Sequence, residues 1–442
     1  MTEPRRPLRI AINADFEPGR LGGIEQFTIG LVSALGKLTD GDEEYLVIAA
    51  PGKEAWIAPY LGPNQTLVTL PEKPSPVDNA KGSGIRHILR GVWHSVPAPI
   101  RQWIYEVRLG KDHGRSAGPV VPTSDGRLES LEPDVVLFTY QLHFSTRILS
   151  VYCPHDLQHI HLPQNFTLSE RAMRNVFYRS GCENAAAVVT PSKWGRDDVI
   201  RQYGVPGSRV FSVRHGAPTE LYRPADAVLL ADVRRKYDLP HKFAFFPAQT
   251  WAHKNHIRLF EALASAIERG ASDLHIVCSG KLNDHYSEIQ KFVRGAHLEN
   301  RVHFLGYVDQ DDLRALYALA EFVIYPSLFE GGGMPLLEAF HEGVAVASSN
   351  VTSLPEYGGD AVFSFDPTST ESIADALVTM HTDADLRDRL VDRGRRLLAE
   401  FQWREAALQY RAIFRHIAGV SLTEYDRAFI GGNEAGHDLT AS

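Results

Sequence analysis

A chain of 442 residues is long enough for two full hydrophobic cores, and 44% hydrophobic with 23% charged residues is the make-up of a globular protein. A formal net charge of −8 argues against a general nucleic-acid binder, which would be basic overall. No run of about 18 apolar residues offers a membrane-spanning helix, and the apolar stretch before Asp15 is too short for a secretory signal. Cys153, Cys182 and Cys278 are odd in number, widely spaced and without a Cys-x-x-Cys pair. The expectation is a reducing, cytoplasmic compartment and no structural zinc.

Leu8 to Ala14 reads as a first strand and Ile24 to Lys37 as an amphipathic helix, joined through Gly19-Arg20-Leu21-Gly22-Gly23-Ile24-Glu25. Strand, glycine loop and helix make a phosphate-binding geometry, because the first N–H groups of a helix are unpaired, although the G-x-G-x-x-G spacing of the dinucleotide fold is absent. Tyr45 to Ala50 and Thr66 to Leu70 read as further strands. From Pro71 to about Leu131 periodicity fades. Residues 81–115 set seven Lys or Arg against Glu106 and Asp112, interleaved with Trp93, Ile100, Trp103, Ile104 and Val107. That interleaving suits either a solvated helix packed through its tryptophans or a surface for anionic lipid or an acidic acceptor.

Asp134 to Phe138 and Ile148 to Cys153 return to strand character, the second leading into Pro154-His155-Asp156-Leu157-Gln158-His159-Ile160-His161. The histidines there lack the spacing of a helical zinc site. Ala185 to Thr190 and Val210 to Val213 read as strands around a helix from Lys193 to Tyr203, and Pro218, Pro224 and Pro240 mark a linker over 217–240 with one short helix. Phe243 to Phe246 opens a second strand–helix series. Lys254, in Gln249-Thr250-Trp251-Ala252-His253-Lys254-Asn255-His256, stands before a helix over about 257–269, a cation beside another helix N-terminus. The alternation continues to Val344–Ala347, followed by helices over about 370–381, 383–400 and 403–417 and a polar tail, 431–442, expected to be disordered.

The most informative stretch runs from Tyr325 to Phe340. Phe322 to Tyr325 is apolar without alternation, as in a parallel strand covered on both faces. Gly331-Gly332-Gly333 lets the backbone come close to a ligand, and Pro335 suits the first position of a helix. That helix N-terminus favours an anion, while Glu338, one turn in, leans back toward it, where a carboxylate accepts two hydrogen bonds from a diol such as ribose. Alone, the stretch reads more readily as a glycine turn with two solvated glutamates.

Glutamate, seven residues, then glutamate, with the glycines and Pro335 between, resembles the donor motif of the retaining glycosyltransferases of family 4. His155-Asp156 after a strand, the Gly22-Gly23-Ile24-Glu25 loop and His253-Lys254-Asn255 follow in that family's order. The resemblance implies an α/β GT-B fold, two Rossmann-like domains facing across a cleft. Residues 1–216, with the insertion at about 71–131, would form the acceptor-side domain and 241–402 the nucleotide-sugar domain. Residues 403–430 would cross back onto the first. It implies that Glu338 holds the ribose, Glu330 holds or faces the sugar, Lys254 counters the diphosphate and His155 lies beside sugar and acceptor. Gly22, Gly23, Gly332, Gly333, Met334, Pro335 and Leu336 would line the donor, with Asp156 orienting its loop. One departure stands out: where many members carry an arginine shortly before the lysine, this chain has Ala248 and Gln249.

The implied reaction moves a hexose, mannose by analogy with the His-Lys-Asn wording, from a GDP- or UDP-sugar to a hydroxyl of a glycan or lipid-linked acceptor, with retention. No metal or cofactor is expected beyond that substrate. Asp40-Gly41-Asp42 and Asp383-Ala384-Asp385 read as a turn and a helix start. Residues 81–115 offer peripheral contact with the inner face of a membrane. A nucleotide-sugar epimerase or hydrolase of the same fold, or a non-catalytic nucleotide-sugar-binding subunit, are the alternatives.

Overall fold

The computed structural model describes residues 6–16, 22–70, 118–217 and 225–435. The basic and aromatic segment 81–115, Gly19 to Leu21 and residues 436–442 lie outside the described residues.

The first domain carries β1 (Arg9–Ala14), α1 (Gly23–Gly36), β2 (Glu44–Ala49), β3 (Gln65–Thr69), β4 (Val135–Phe138) and β5 (Leu149–Tyr152). These are followed by a helical turn α2 (Gln158–His161), α3 (Leu168–Asn184), β6 (Ala187–Thr190), α4 (Lys193–Tyr203) and β7 (Val210–Ser212). Its strands form one parallel sheet in the order β3-β2-β1-β4-β5-β6-β7. Strands such as Val135–Phe138 are apolar at every position because both sheet faces are covered: Val135 and Leu137 enter one core, Val136 and Phe138 the other. Sequence reading placed no helix at α3, although Thr167-Leu168-Ser169-Glu170 is a capping box. Thr167 Oγ1 accepts from the Glu170 amide at 3.2 Å while the Glu170 carboxylate accepts from the Thr167 amide at 2.8 Å.

After α5 (Ala227–Lys236) come β8 (Ala244–Pro247), α6 (His256–Glu268), β9 (Ile276–Ser279), α7 (Tyr286–Gly295), β10 (Val302–Phe304), α8 (Gln310–Leu319), β11 (Phe322–Tyr325) and α9 (Met334–His341). Then follow β12 (Ala345–Ser349), α10 (Leu354–Gly358), β13 (Val362–Phe365), α11 (Thr370–Thr382) and α12 (Ala384–Leu398). The second sheet is parallel with the order β10-β9-β8-β11-β12-β13. Both sheets therefore reverse their winding beside their first strand, between β1 and β4 and between β8 and β11. In doubly wound folds the crevice beyond the strand ends at such a point is where ligands bind.

α13 (Trp403–Ile417) leaves the second domain and packs on the first: Trp403, Ala407, Tyr410 and Phe414 join the core that holds Ile10 and Ile12. The close approach needs glycine on the receiving side, since a Cβ at Gly30 of α1 would stand 2.2 Å from the Trp403 ring. α14 (Glu424–Ala435) continues from it, so residues 431–435, expected in a disordered tail, are helical. Two anchors explain why Gly431 and Gly432 do not end this helix: Ile430 is buried in the first domain's core, and Arg415 bonds Asp426 at 2.9 Å and Glu43 at 2.6 Å. Among the described residues no helix is long and apolar enough to cross a membrane.

Candidate active site

The switch point of the second sheet brings together Lys254, just past β8, and Glu330, just past β11. Lys254 Nζ donates to Glu330 Oε1 at 2.5 Å and to Tyr325 Oη at 2.8 Å, and Tyr325 Oη also lies 3.0 Å from Glu330 Oε1. Ser327 Oγ donates to the same carboxylate oxygen. Both members of the ion pair keep 14% side-chain exposure, enough for a ligand to reach and little enough that the pair is weakly screened. Asn255, in the left-handed region at φ +66°, turns its amide to Pro326 O at 3.1 Å and Pro367 O at 2.8 Å, fixing the β8 loop onto the β11 loop.

The three glycines serve contact rather than unusual torsion, since none has a positive φ. A Cβ on Gly331 would stand 2.4 Å from the His155 carbonyl oxygen, and one on Gly333 would stand 2.5 Å from Tyr357 Cβ. One on Gly332 would lie 3.3 Å from Tyr357 Oη. Gly331 thereby lets the second domain touch His155 and Asp156 of the first. The helix starts at Met334, one residue before the expected Pro335, with Gly333 as its cap residue. Leu336 turns into the second domain's core and its amide bonds Gly333 O at 3.0 Å, so of the expected lining residues it presents no free group there.

His155 stands just beyond β5 with φ +63°, a left-handed conformation that costs about 1–2 kcal/mol for a residue with a side chain. Its Nε2 lies 2.7 Å from Thr139 O, just beyond β4. A carbonyl only accepts, so Nε2 carries the proton and Nδ1 keeps its lone pair. Burial pushes the imidazole down to about 4, so it is neutral near pH 7. Phe27 of α1 meets its ring edge-on at 5.1 Å. Asp156 accepts from the Gln158 amide at 3.0 Å, and burial holds its carboxyl above the usual range.

Glu338, on α9, accepts from Tyr317 Oη at 2.6 Å. Its half-buried carboxyl is pushed up to about 7, first by burial, against which the Tyr317 hydroxyl works. Gly22, at φ +52°, begins α1 facing Gln249: a Cβ there would lie 3.4 Å from Gln249 Nε2, while Gly23 is open. Gln249 is half-buried and its Oε1 takes a 3.4 Å contact from Asn283 Nδ2. No side chain caps α1, α6 or α9 at the cleft; in α9 Pro335 has no N–H and the Leu336 amide is already bonded, so the amides open to an anion are those of Met334 and of the first turn of α6. By contrast α3, α4, α5, α8, α11 and α12 are capped by Thr167, Ser192, Asp226, Asp309, Ser369 and Asp383.

Sequence reading missed Tyr317, Tyr325, Ser327 and a clamp between the domains. Glu356 of α10 accepts from the Lys193 and Trp194 amides at 2.8 and 2.6 Å, closing the N-terminus of α4 from the opposite domain. Tyr357 Oη donates to Pro191 O at 3.0 Å, and Ser192 Oγ to Gly331 O at 3.1 Å. Phe329 lies among the rings of His161 and Trp194 at 5.2 and 5.4 Å. Leu354-Pro355-Glu356 after Ser353 was a signal for a helix start, but nothing local says whose amides Glu356 takes. Among the described residues no three His, Cys, Asp or Glu gather as a metal site. Asp40 bonds Arg411 at 2.5 Å, and Asp383 caps α12.

Two family descriptions match the chain, Glycosyltransferase Family 4 over residues 21–221 and Glycosyl transferases group 1 over 232–397. The O-antigen chain mannosyltransferase B of Escherichia coli is 29% identical over 270 residues, 58% of this chain and 70% of that protein. The serotype-specific mannosyltransferase WbdA of Escherichia coli is 29% identical over 51% of this chain but only 28% of its own length. Among solved structures, the glycosyltransferase from Rickettsia africae ESF-5 superposes with a TM-score of 0.63 at 16% identity, over 94% of this chain and 100% of that one. Anabaena Alr3699/HepE in complex with UDP and glucose gives a TM-score of 0.62 at 17% identity, over 91% and 98%. At such identities the solved structures speak for the fold.

Proposed function

Since this chain belongs to the family 4 glycosyltransferases and has their GT-B fold, we propose that it transfers a hexose, mannose foremost, from a nucleotide-diphosphate sugar to a hydroxyl of a glycan or lipid-linked acceptor, with retention. The observation that carries this reading is the Lys254–Glu330 pair at the switch point of the second sheet, with Tyr325 and Ser327 converging on the same carboxylate oxygen. Likeness to mannosyltransferases supports the sugar, and a structural neighbour holding UDP and glucose supports a nucleotide-linked donor.

Departure of the nucleoside diphosphate is the step that needs help, because negative charge grows on its oxygens. Lys254 has three N–H donors and spends two on Glu330 and Tyr325. The third, with the uncapped N-termini of α6 and α9, meets that charge, an effect worth about 2.7–4 kcal/mol per well-placed donor. These groups stand in for the arginine that Gln249 and Ala248 replace. Ser327, Tyr325 and Lys254 all address Glu330 Oε1, which leaves Oε2 to a sugar hydroxyl. Glu338 takes the ribose diol. His155, neutral and protonated on Nε2, offers Nδ1 as acceptor for a hydroxyl at the reacting centre and so positions it. The proton leaving the acceptor passes to the departing phosphate on the same face.

Thermal stabilisation by UDP, GDP and ADP and their sugars tests the donor half: a ligand at 100 times its dissociation constant adds about 2.7 kcal/mol. One nucleotide family is expected to stabilise, and its sugar to be consumed only with an acceptor present. Donor consumption without acceptor would instead mark a hydrolase or epimerase, and stabilisation by none of them would overturn the donor site.

A further inference from the structure

α3 carries a second charged surface on the acceptor-side domain. Arg171 and Arg174 lie three residues apart on this helix, and so on one face. Neither has a carboxylate within ion-pair distance among the described residues, whereas Arg179, further along α3, pairs with Glu183 at 3.1 Å. Arg174 is not a loose surface cation. Its Nη1 donates to Tyr178 Oη at 2.7 Å, and its guanidinium sits 4.6 Å from the centre of the Phe166 ring. The same Tyr178 meets the ring of His159 edge-on at 4.7 Å; His159 is 2% exposed and its Nδ1 has no partner. Arg171 and Arg174 both act on that imidazole, and Arg174 also acts on Asp156, whose Cβ would stand 3.0 Å from a Cβ on Gly331. Leu168, where α3 begins, is 80% exposed, and Met173 is 40% exposed.

We propose that Arg171 and Arg174 hold a phosphate or diphosphate group of the acceptor, beside the reaction centre. The planar guanidinium fork matches phosphate oxygens in pairs, and two forks one helical turn apart span a phosphate or a diphosphate. This rests on the reading that the acceptor docks on the first domain. The shared chemistry is a phosphate ester, carried either by a membrane lipid, for which Leu168 and Met173 supply apolar contact, or by a soluble sugar phosphate.

The test titrates inorganic pyrophosphate into the full chain with its donor site already filled by the nucleoside diphosphate that stabilises it. Wild type is expected to bind, and R171Q/R174Q to bind about tenfold or more weakly, the loss of charge-assisted hydrogen bonds. R171Q alone, at a half-buried position, provides an intermediate loss should the double variant fold poorly. Nucleotide stabilisation is to be retained in both variants. Its absence in wild type would sink the donor reading, whereas equal pyrophosphate affinity in wild type and R171Q/R174Q would sink this one. Co-sedimentation with phosphatidylcholine vesicles, with and without phosphatidic acid, separates the sources. Capture by phosphatidic acid that R171Q/R174Q loses marks a lipid headgroup. No capture, together with Arg-dependent binding of glycerol phosphate, marks a soluble ester.

Discussion

On the second domain, Lys254, Tyr325, Ser327 and Glu330 satisfy one another before any ligand arrives. On the first, Arg171 and Arg174 have no carboxylate partner among the described residues, and His155 is held in a costly backbone conformation with one ring nitrogen uncommitted. The second-domain cluster is preorganised by its own hydrogen bonds, so on the donor role proposed for it the cation and carboxylate would need little rearrangement as charge develops on a leaving group. The first-domain surface, where the acceptor is proposed to dock, leaves polar groups open to a ligand.

Removing the cation should break the donor side most. Lys254→Ala is expected to lower kcat/KM by an amount equivalent to about 2.7–4 kcal/mol. In a double-mutant cycle with Glu330→Gln the losses should fall short of additive, since the pair acts as a unit. Full activity in Lys254→Ala would place the leaving-group site elsewhere.

Glu338→Gln should weaken nucleotide binding by about 1.5–3 kcal/mol, read by calorimetry. The wild-type group sets a pH dependence as well. Burial raises its carboxyl from the ordinary 4.5 to about 7, so nucleotide affinity through a ribose diol should climb as pH rises through about 7. The stability effect has the opposite sign. Between about 4.5 and 7 the folded chain keeps a proton that the unfolded chain has lost, and this group's contribution to stability falls as pH rises over that window. A flat affinity profile would separate Glu338 from the ribose.

Glu356→Ala should cost about 0.5–2 kcal/mol, the scale of losing a helix cap, and loosen the contact between the domains. Small-angle scattering should then show a larger radius of gyration for the variant without ligand; an unchanged radius would reduce the clamp to a local cap. The smallest effect is expected from Tyr317→Phe, about 0.5–1.5 kcal/mol of nucleotide affinity. Without that hydroxyl the Glu338 carboxyl rises further, so the midpoint of the affinity profile should move to higher pH.

Much of this molecule could be read along the chain. Phe322–Tyr325 and Lys193–Tyr203 have the bounds expected of them, because an unbroken apolar run and a Ser192 cap with Gly204 at the end are signals among neighbours. The docking of α13 on the first domain was expected from likeness alone; the facing glycine that receives Trp403 appears only in the fold. β13 and α14 escaped, the first because Val362–Phe365 is short and half-exposed, the second because two glycines near its end read as a stop.

The sequence by itself determined where most strands, many helices and the glycine loops fall, and that Lys254, Glu330, Glu338 and His155 follow strands or open helices, since these depend on residues within a turn or two. Only the tertiary structure decided their partners. Lys254 reaches Glu330 across 76 positions and Glu356 reaches the Trp194 amide across 162, distances over which no periodicity carries information. Those meetings follow from where each parallel sheet reverses its winding and from how closely glycine lets two backbones approach.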